Sequence, residues 1–310
     1  MSKSAGERPL VAFVTVNWRS ADVVGHLLDS LESGVGFPYE AIVVNNDASE
    51  SVRIEKICRS HSRASLVDLG RNVGFAAGCN AGARRTTARW LVFINPDVLV
   101  KRLPVESIDE LERRYGERVL FGVTLQRNSR VLKGSFRRLP TFRRLLVDST
   151  GLDRVFPFAA GSGMFYREEA ALPRFAGVEQ PTGAFFGIGR TAFDELQGFD
   201  ERFFVFFEEV DLALRASRQA IPVVKLPGVV ADHAGGYSTQ GDRTLAIGLR
   251  WQSMRTYHAK HARAIRLPQP WVIIAAEAFR FKIQALVGLG GNFSVGRALR
   301  ISRRYGVEGA

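Results

Sequence analysis

The sequence predicts an α/β fold with a doubly wound sheet, on three observations. Over residues 10–125, apolar β-branched runs alternate with segments of helical periodicity. Several runs are apolar along their whole length, as strands covered by helices on both faces must be. Asn and Asp follow these runs directly, at the strand ends where open α/β sheets bind ligands.

The first strand expected is Leu10–Val16. Ser20 is placed to cap the next helix, in which Val23, Val24, Leu27, Leu28 and Leu31 recur at helical spacing. Ala41–Val44 makes a second strand and ends in Asn45, Asn46 and Asp47, and a helix near 50–60 leads to a third at Ser65–Leu69. Gly74–Arg85 reads as a helix of small residues, and Trp90–Ile94 is a fourth strand ending in Asn95-Pro96-Asp97. Strand–helix units repeated at this spacing specify a layered sheet. Asn17 joins Asn45, Asn46, Asp47 and Asp97 at strand ends. Each alone fits a turn or a cap, but three successive ends so marked point to a binding rim.

Residues 126–180 break the alternation, with Pro140, Pro157, Pro173 and a Gly161-Ser162-Gly163 cluster. They read as a long excursion or flexible arm over the rim. Order resumes with a strand at Gly183–Ile188, a helix from Glu208 to Gln219, a strand at Pro222–Leu226, and then Asp232-His233.

Charge divides the chain further. Of a net +12, residues 241–310 contribute twelve Lys/Arg against three acids, and the strip from Arg127 to Arg144 holds seven cations and no acid. Clusters of this kind suit an anionic partner or a solvated face. The division expected is therefore 1–240, with halves meeting near 125, followed by a basic helical extension over 241–310. Within the extension, Trp271–Leu289 is apolar except for Glu277, Arg280, Lys282 and Gln284. Glu277, Arg280 and Gln284 share one narrow helical face. Their charge argues against a spanning helix, and the pattern fits an interfacial membrane helix, packing on the protein or a homodimer interface. Cys58 and Cys79 have no metal or disulfide spacing and read as inert buried thiols. The polar N-terminus lacks an apolar signal core, which predicts a cytoplasmic protein, and the basic, amphipathic tail predicts that it is peripheral at the inner face of the plasma membrane.

No dinucleotide-type Gly-x-Gly-x-x-Gly opens the first helix, and the P-loop and Gly-x-Ser-x-Gly patterns are also missing. This disfavours oxidoreductase, P-loop and serine-hydrolase chemistry. What remains is carboxylates and a histidine. Asp97, after a buried strand, can reach a Mg²⁺ or Mn²⁺ bound to a diphosphate, since hard cations prefer carboxylate and phosphate oxygen. His233 can complete such a site. Glu208, Glu209 and Asp211 open a helix, where acids also complement the dipole.

These residues carry a resemblance. Val14–Trp18, Ile42–Asp47, Arg71–Asn80, Phe93–Val98, Thr182–Ala184, Gly198–Phe204, Phe207–Leu212 and Val229–His233 stand in the order of their counterparts in the inverting GT-A glycosyltransferases of family 2. Within that family the sequence resembles the bacterial rhamnosyltransferase-like branch, over residues 10–260. The resemblance implies a GT-A fold: a Rossmann-like nucleotide-binding half with a mixed sheet, here followed by the basic, amphipathic tail. It implies that Thr15, Asn17, Asn45, Asn46, Asp47, Arg71, Asn72, Gly74, Asn95 and Asp97 bind the nucleotide-sugar. Asn95-Pro96-Asp97 stands at the family's Asp-x-Asp motif, so Asp97 becomes the main carboxylate on the metal, with His233 the second ligand. Glu209 replaces the Asp of the family's Glu-Asp pair and is the favoured base, with Asp211 and Glu208 the alternatives.

The activity so implied is transfer of a sugar, best read as L-rhamnose from a dTDP donor and otherwise from a UDP donor. The acceptor is a hydroxyl of a saccharide or polyprenyl-diphosphate-linked saccharide in cell-surface polysaccharide synthesis. A nucleotidyltransferase making a nucleotide-sugar is the competing reading, and a non-catalytic membrane scaffold of the same fold a third. Nucleic acid is not the expected partner, because no aromatic platform is interleaved with the basic strip.

Overall fold

The computed structural model describes residues 9–150, 163–166, 169, 171–234, 242–265, 269–286 and 293–304. The expected alternation is present: β1 (Val11–Asn17), α1 (Ala21–Gly34), β2 (Tyr39–Asn45), α2 (Ser51–Ser60), β3 (Ala64–Asp68), α3 (Phe75–Arg84) and β4 (Trp90–Ile94). All residues of β1 and β4 are buried, which is why these runs show no polar alternation. The small residues of α3 let it lie almost on the sheet. A Cβ on Gly82 would stand 2.4 Å from a Val14 methyl.

Beyond β4 the chain adds β5 (Val98–Arg102), α4 (Val105–Tyr115), β6 (Leu120–Gly122), β7 (Leu125–Arg127), β8 (Arg130–Val131), β9 (Phe136–Arg137) and α5 (Phe142–Thr150). The segment read as a structureless excursion from 126 thus begins as short paired strands and a helix. Gly161 and Ser162 of its glycine cluster lie outside the described residues. Next come β10 (Gln180–Pro181), β11 (Phe185–Gly189), α6 (Arg190–Glu195), α7 (Glu208–Arg218), β12 (Val223–Lys225) and β13 (Val230–His233).

Among the described residues, seven strands form the main sheet in the order β12-β6-β11-β4-β1-β2-β3. β1 to β4 run parallel, whereas β11 is antiparallel to both β4 and β6. The sheet is therefore mixed. A smaller sheet, β5-β13-β7-β8, stands beside it.

Two apolar clusters cover the faces of the main sheet. A third joins Leu145, Phe203, Phe207, Val210 and Leu214 to residues of α8 (Arg243–Ile265), α9 (Pro270–Leu286) and α10 (Val295–Arg304). The basic C-terminal helices thus share a core with α5 and α7. Helix α9 turns Glu277 inward, where its carboxylate accepts from Trp251 Nε1 at 2.6 Å and from Arg250. Arg280 donates to the Asp148 carbonyl at 2.7 Å. The apolar Trp271 and Phe279 remain 66% and 67% exposed. The side chain of Gln284 and residues 287–289 lie outside the described residues.

Removing Glu277 leaves the buried Trp251 indole N–H without its acceptor and the half-buried Arg250 without its partner. Glu277→Ala should cost about 3 kcal/mol in denaturant unfolding, whereas Trp271→Ala should change stability by less than about 0.5 kcal/mol. Equal, small effects would mean that α9 does not depend on this ion pair.

Candidate active site

The turn Asn95-Pro96-Asp97 follows β4 and is pinned from two sides. Asn95 N–H donates to the Ala184 carbonyl at 2.9 Å, and Ala234 N–H donates to the Asp97 carbonyl at 3.2 Å. Register does the rest: β13 pairs antiparallel with β5 so that His233 lies opposite Val98. This puts His233 Nε2 3.4 Å from Asp97 Oδ1. His233 is therefore the last residue of β13, a strand separate from the one expected at Pro222–Leu226. Arg127 holds the same strand end through the carbonyls of His233 and Ala234. Among the described residues no three metal-ligating side chains converge. Asp97 and His233 could supply two ligands to a cation, since two donors sharing a cation at about 2.1 Å at right angles stand about 3 Å apart.

Glu208 and Glu209 open α7 behind Phe207, whose φ of 68° ends the preceding loop in the left-handed region. Both carboxyls are buried, and each has one oxygen without a hydrogen-bond partner. Burial pushes Glu208 well above the ordinary glutamate range, and the neighbouring Glu209 charge adds to this. Burial also raises Glu209, against the pull of the Arg137 charge and backbone N–H groups. Glu209 packs over Gly183, where a Cβ would stand 3.5 Å from its carboxyl carbon. Because Gly183 precedes Ala184, the same short segment touches Glu209 and pins the Asp97 turn.

Asp211 is differently placed. Its Oδ1 meets His261 Nε2 and Lys260 Nζ, each at 2.7 Å, and its Oδ2 takes Arg215 Nε at 2.7 Å. Burial opposes its charge, but the His261 bond, the Arg215 charge and Lys260 outweigh that and hold the carboxyl below its usual range. Lys260 also reaches Asp200 at 2.6 Å. Asp211 thereby ties α7 to α8, and both its oxygens are committed.

The strand-end asparagines are committed too. Asn17 Nδ2 donates to Asn45 Oδ1 at 2.8 Å and to Glu50 at 2.9 Å. Asn45 Nδ2 donates to the Asp47 carbonyl, Ser51 and Asp68. Asn17 and Asn45 are wholly buried. Asn46 donates to the Gly74 carbonyl at 2.9 Å, while its Oδ1 and Thr15 Oγ1 are buried without partners. Gly74, at φ 91°, lies so close to Phe204 that a Cβ would stand 2.5 Å from that residue's carbonyl oxygen. Open to solvent on this rim are Asp68, Arg71 and Asn72, with Asp47 and Asn95 half-buried. Sequence reasoning missed Asp68, Glu50 and the Lys260–His261 pair. Asp68 ends its strand as Asn45 ends the one before, a signal obscured when the strand was extended to Leu69.

The fold has counterparts of known structure. The chain overlays the mannosyltransferase PcManGT from Pyrobaculum calidifontis, in complex with GDP-Man and Mn²⁺, with TM-score 0.54 and 16% identity over 96% of this chain and 74% of that one. GalNAc-T7, with UDP, GalNAc and Mn²⁺, overlays with TM-score 0.55 and 9% identity over 94% and 56%. The architecture is that of the GT-A glycosyltransferases. Residues 12–172 match the family described as Glycosyl transferase family 2, and the chain belongs to that family. It is a glycosyltransferase, and its sequence is similar to those of rhamnosyltransferases. Relatives include the N-acetylglucosaminyl-diphospho-decaprenol L-rhamnosyltransferase of Mycobacterium tuberculosis, 23% identical over 86% of this chain and 90% of that protein. The rhamnosyltransferase WbbL of Escherichia coli is 22% identical over 80% and 91%.

Because Glu208 binds its proton more tightly folded than unfolded, protonation supports the fold fully below the ordinary glutamate value of 4.5. That contribution is lost as pH rises through the raised folded value. Glu208→Gln should therefore raise the thermal midpoint at pH 8 and leave it nearly unchanged at pH 4. A loss of stability at pH 8 would refute the buried-carboxyl account.

Proposed function

We propose that the enzyme transfers a sugar, with inversion, from a nucleotide-sugar to a hydroxyl of a polyprenyl-diphosphate-linked saccharide, and that L-rhamnose from a dTDP donor is the sugar moved. The observation carrying this reading is the approach, through Gly183 and Ala184, of the Asp97–His233 pair to Glu209, one of whose carboxyl oxygens has no hydrogen-bond partner. The names of the Mycobacterium tuberculosis and Escherichia coli relatives support rhamnose, and the first supports the lipid diphosphate.

Asp97 and His233 suit a Mg²⁺ or Mn²⁺ that takes its other ligands from the donor diphosphate and water, the arrangement such cations favour. Such an ion would neutralise charge on the leaving diphosphate. Glu209 takes the proton of the acceptor hydroxyl. It is preferred to Asp211, whose oxygens are held by three cationic or imidazole groups. Glu208, buried beside the base, holds its proton more tightly than an ordinary glutamate does. Thr15 and Asn46 offer unpartnered oxygens to the donor, and Asp47, Asp68, Arg71, Asn72 and Asn95 line the accessible rim. Asn17 and Asn45 act beneath that rim, joining the ends of β1 and β2.

Among the described residues no helix is long and apolar enough to cross a membrane. Trp271, Ala275 and Phe279 nevertheless form an outward stripe at i, i+4 and i+8 on α9. Together with the basic character of the tail, that stripe fits an anionic bilayer surface at the cytoplasmic face, where lipid-linked acceptors are presented.

A panel of dTDP-, UDP- and GDP-sugars with Mg²⁺ or Mn²⁺ should release nucleoside diphosphate. Pyrophosphate release from nucleoside triphosphates would instead favour the nucleotidyltransferase reading. Glu209→Gln should lower turnover by about 10²–10⁴-fold while donor binding persists, and Asp97→Asn should impair both. Near-normal turnover in Glu209→Gln would reassign the base. In liposome sedimentation, Trp271→Ser with Phe279→Ser should release the protein from phosphatidylglycerol vesicles at least tenfold more readily; unchanged binding would exclude the stripe as a membrane contact.

A further inference from the structure

Of the seven cations in the basic strip, three are engaged within the fold, and Arg130 and Arg143 are exposed. Arg144 pairs with Glu179 at 2.6 Å, Arg138 donates to the Phe165 carbonyl and stacks over Tyr166, and Arg127 holds the end of β13. Arg137 and Lys133 differ. The Arg137 guanidinium stands 5.7 Å and Lys133 Nζ 5.4 Å from the Phe165 ring, so the two cations share one aromatic side chain. Among the described residues, Arg137 Nε makes one long bond, 3.4 Å to the Gly134 carbonyl, and neither cation forms an ion pair.

The position of Arg137 is set by the same segment that shapes the catalytic site. Arg137 pairs with Gln180 across β9 and β10, and Thr182 N–H donates to the Ser135 carbonyl at 2.8 Å. One residue further on, Gly183 packs on Glu209. The Arg137 charge is felt at three buried carboxyls: Glu209, Glu169 and Asp148. Glu169 is occupied by the N–H groups of Gly134, Ser135 and Phe136. Asp148 lies in the fields of Arg250 and Arg280 as well. These three N–H bonds to Glu169 also fix the loop that projects Lys133 and Arg137, so the two cations are held before any ligand arrives.

We propose that Arg137 and Lys133, flanking Phe165, bind the diphosphate of a lipid-linked acceptor and so bring its saccharide hydroxyl to Glu209. This rests on the acceptor reading above and assigns residues to it. A guanidinium presents a planar fork of donors to phosphate oxygens, and a lysine adds a second point charge. A diphosphate gives two anionic centres for two cations, which an uncharged glycoside does not. The apolar ring between them faces the first carbons of the lipid.

Calorimetric titration with a short-chain alkyl diphosphate, in EDTA so that the cation site does not take part, tests this directly. The full-length protein should bind it, and Arg137→Gln and Lys133→Gln should each weaken binding at least tenfold, with donor-induced thermal stabilisation in Mg²⁺ retained as evidence of an intact fold. Wild-type protein that ignores the alkyl diphosphate would overturn both the lipid-diphosphate reading and this site. Wild-type binding that survives both substitutions would overturn the site alone. If the substitutions weaken sedimentation with phosphatidylglycerol vesicles but not alkyl diphosphate binding, the cations serve the membrane surface and the proposal also fails.

Discussion

The site depends on one turn being held from both sides. Asn95-Pro96-Asp97 leaves the central strand β4, and its two ends are bonded to Ala184 and Ala234, residues remote in the chain. The antiparallel placement of β11 against β4 supplies the first contact, and that of β13 against β5 the second. A slip of one residue in the β13 pairing would turn His233 to the opposite face of the small sheet and leave Asp97 without it. Proline at the centre suits a tight turn that needs no donor from that residue.

The carboxylates of α7 share a sequence neighbourhood but have opposite environments. Asp211 is surrounded by Arg215, Lys260 and His261 and stays charged. Glu208 and Glu209, at the start of the same helix, are buried, and each keeps one oxygen without a hydrogen-bond partner. A fully compensated ion cluster is rigid and costly to break, whereas an unpaired buried carboxyl carries a perturbed affinity for its proton. The first fixes the helix on α8, and the second makes a side chain of that helix chemically available. Such divergence between adjacent acids is what acid–base chemistry requires.

The C-terminal helices reverse the usual relation between polarity and burial at one place. Helix α9 places Glu277 and Arg280 against α8 and α5 while Trp271 and Phe279 face outward. Its inward charge is balanced by Arg250, so burial is supported by pairing rather than by hydrophobicity alone. The tail therefore contributes to the core beneath α7 and also presents an apolar stripe beyond it.

The alternation of strands and helices from β1 to β4, the small-residue character of α3 and the start of α7 were legible in the sequence, because each is set by local periodicity and each buried run is apolar throughout. The ordered motifs were legible through their resemblance to family 2 rather than through periodicity, and that resemblance pointed to Asp97, His233 and Glu209 as candidates. The sequence could not say that Asn17 and Asn45 hydrogen-bond to one another, that Asp211 is held by Lys260 and His261, or that the polar face of α9 points inward. Nor did it separate Arg137 and Lys133 from the paired arginines beside them. Periodicity reports the average surroundings of a residue along its own element. Whether a polar group is saturated, and by what, depends on side chains that strand register and helix packing bring from elsewhere in the chain, and that only the tertiary structure decided.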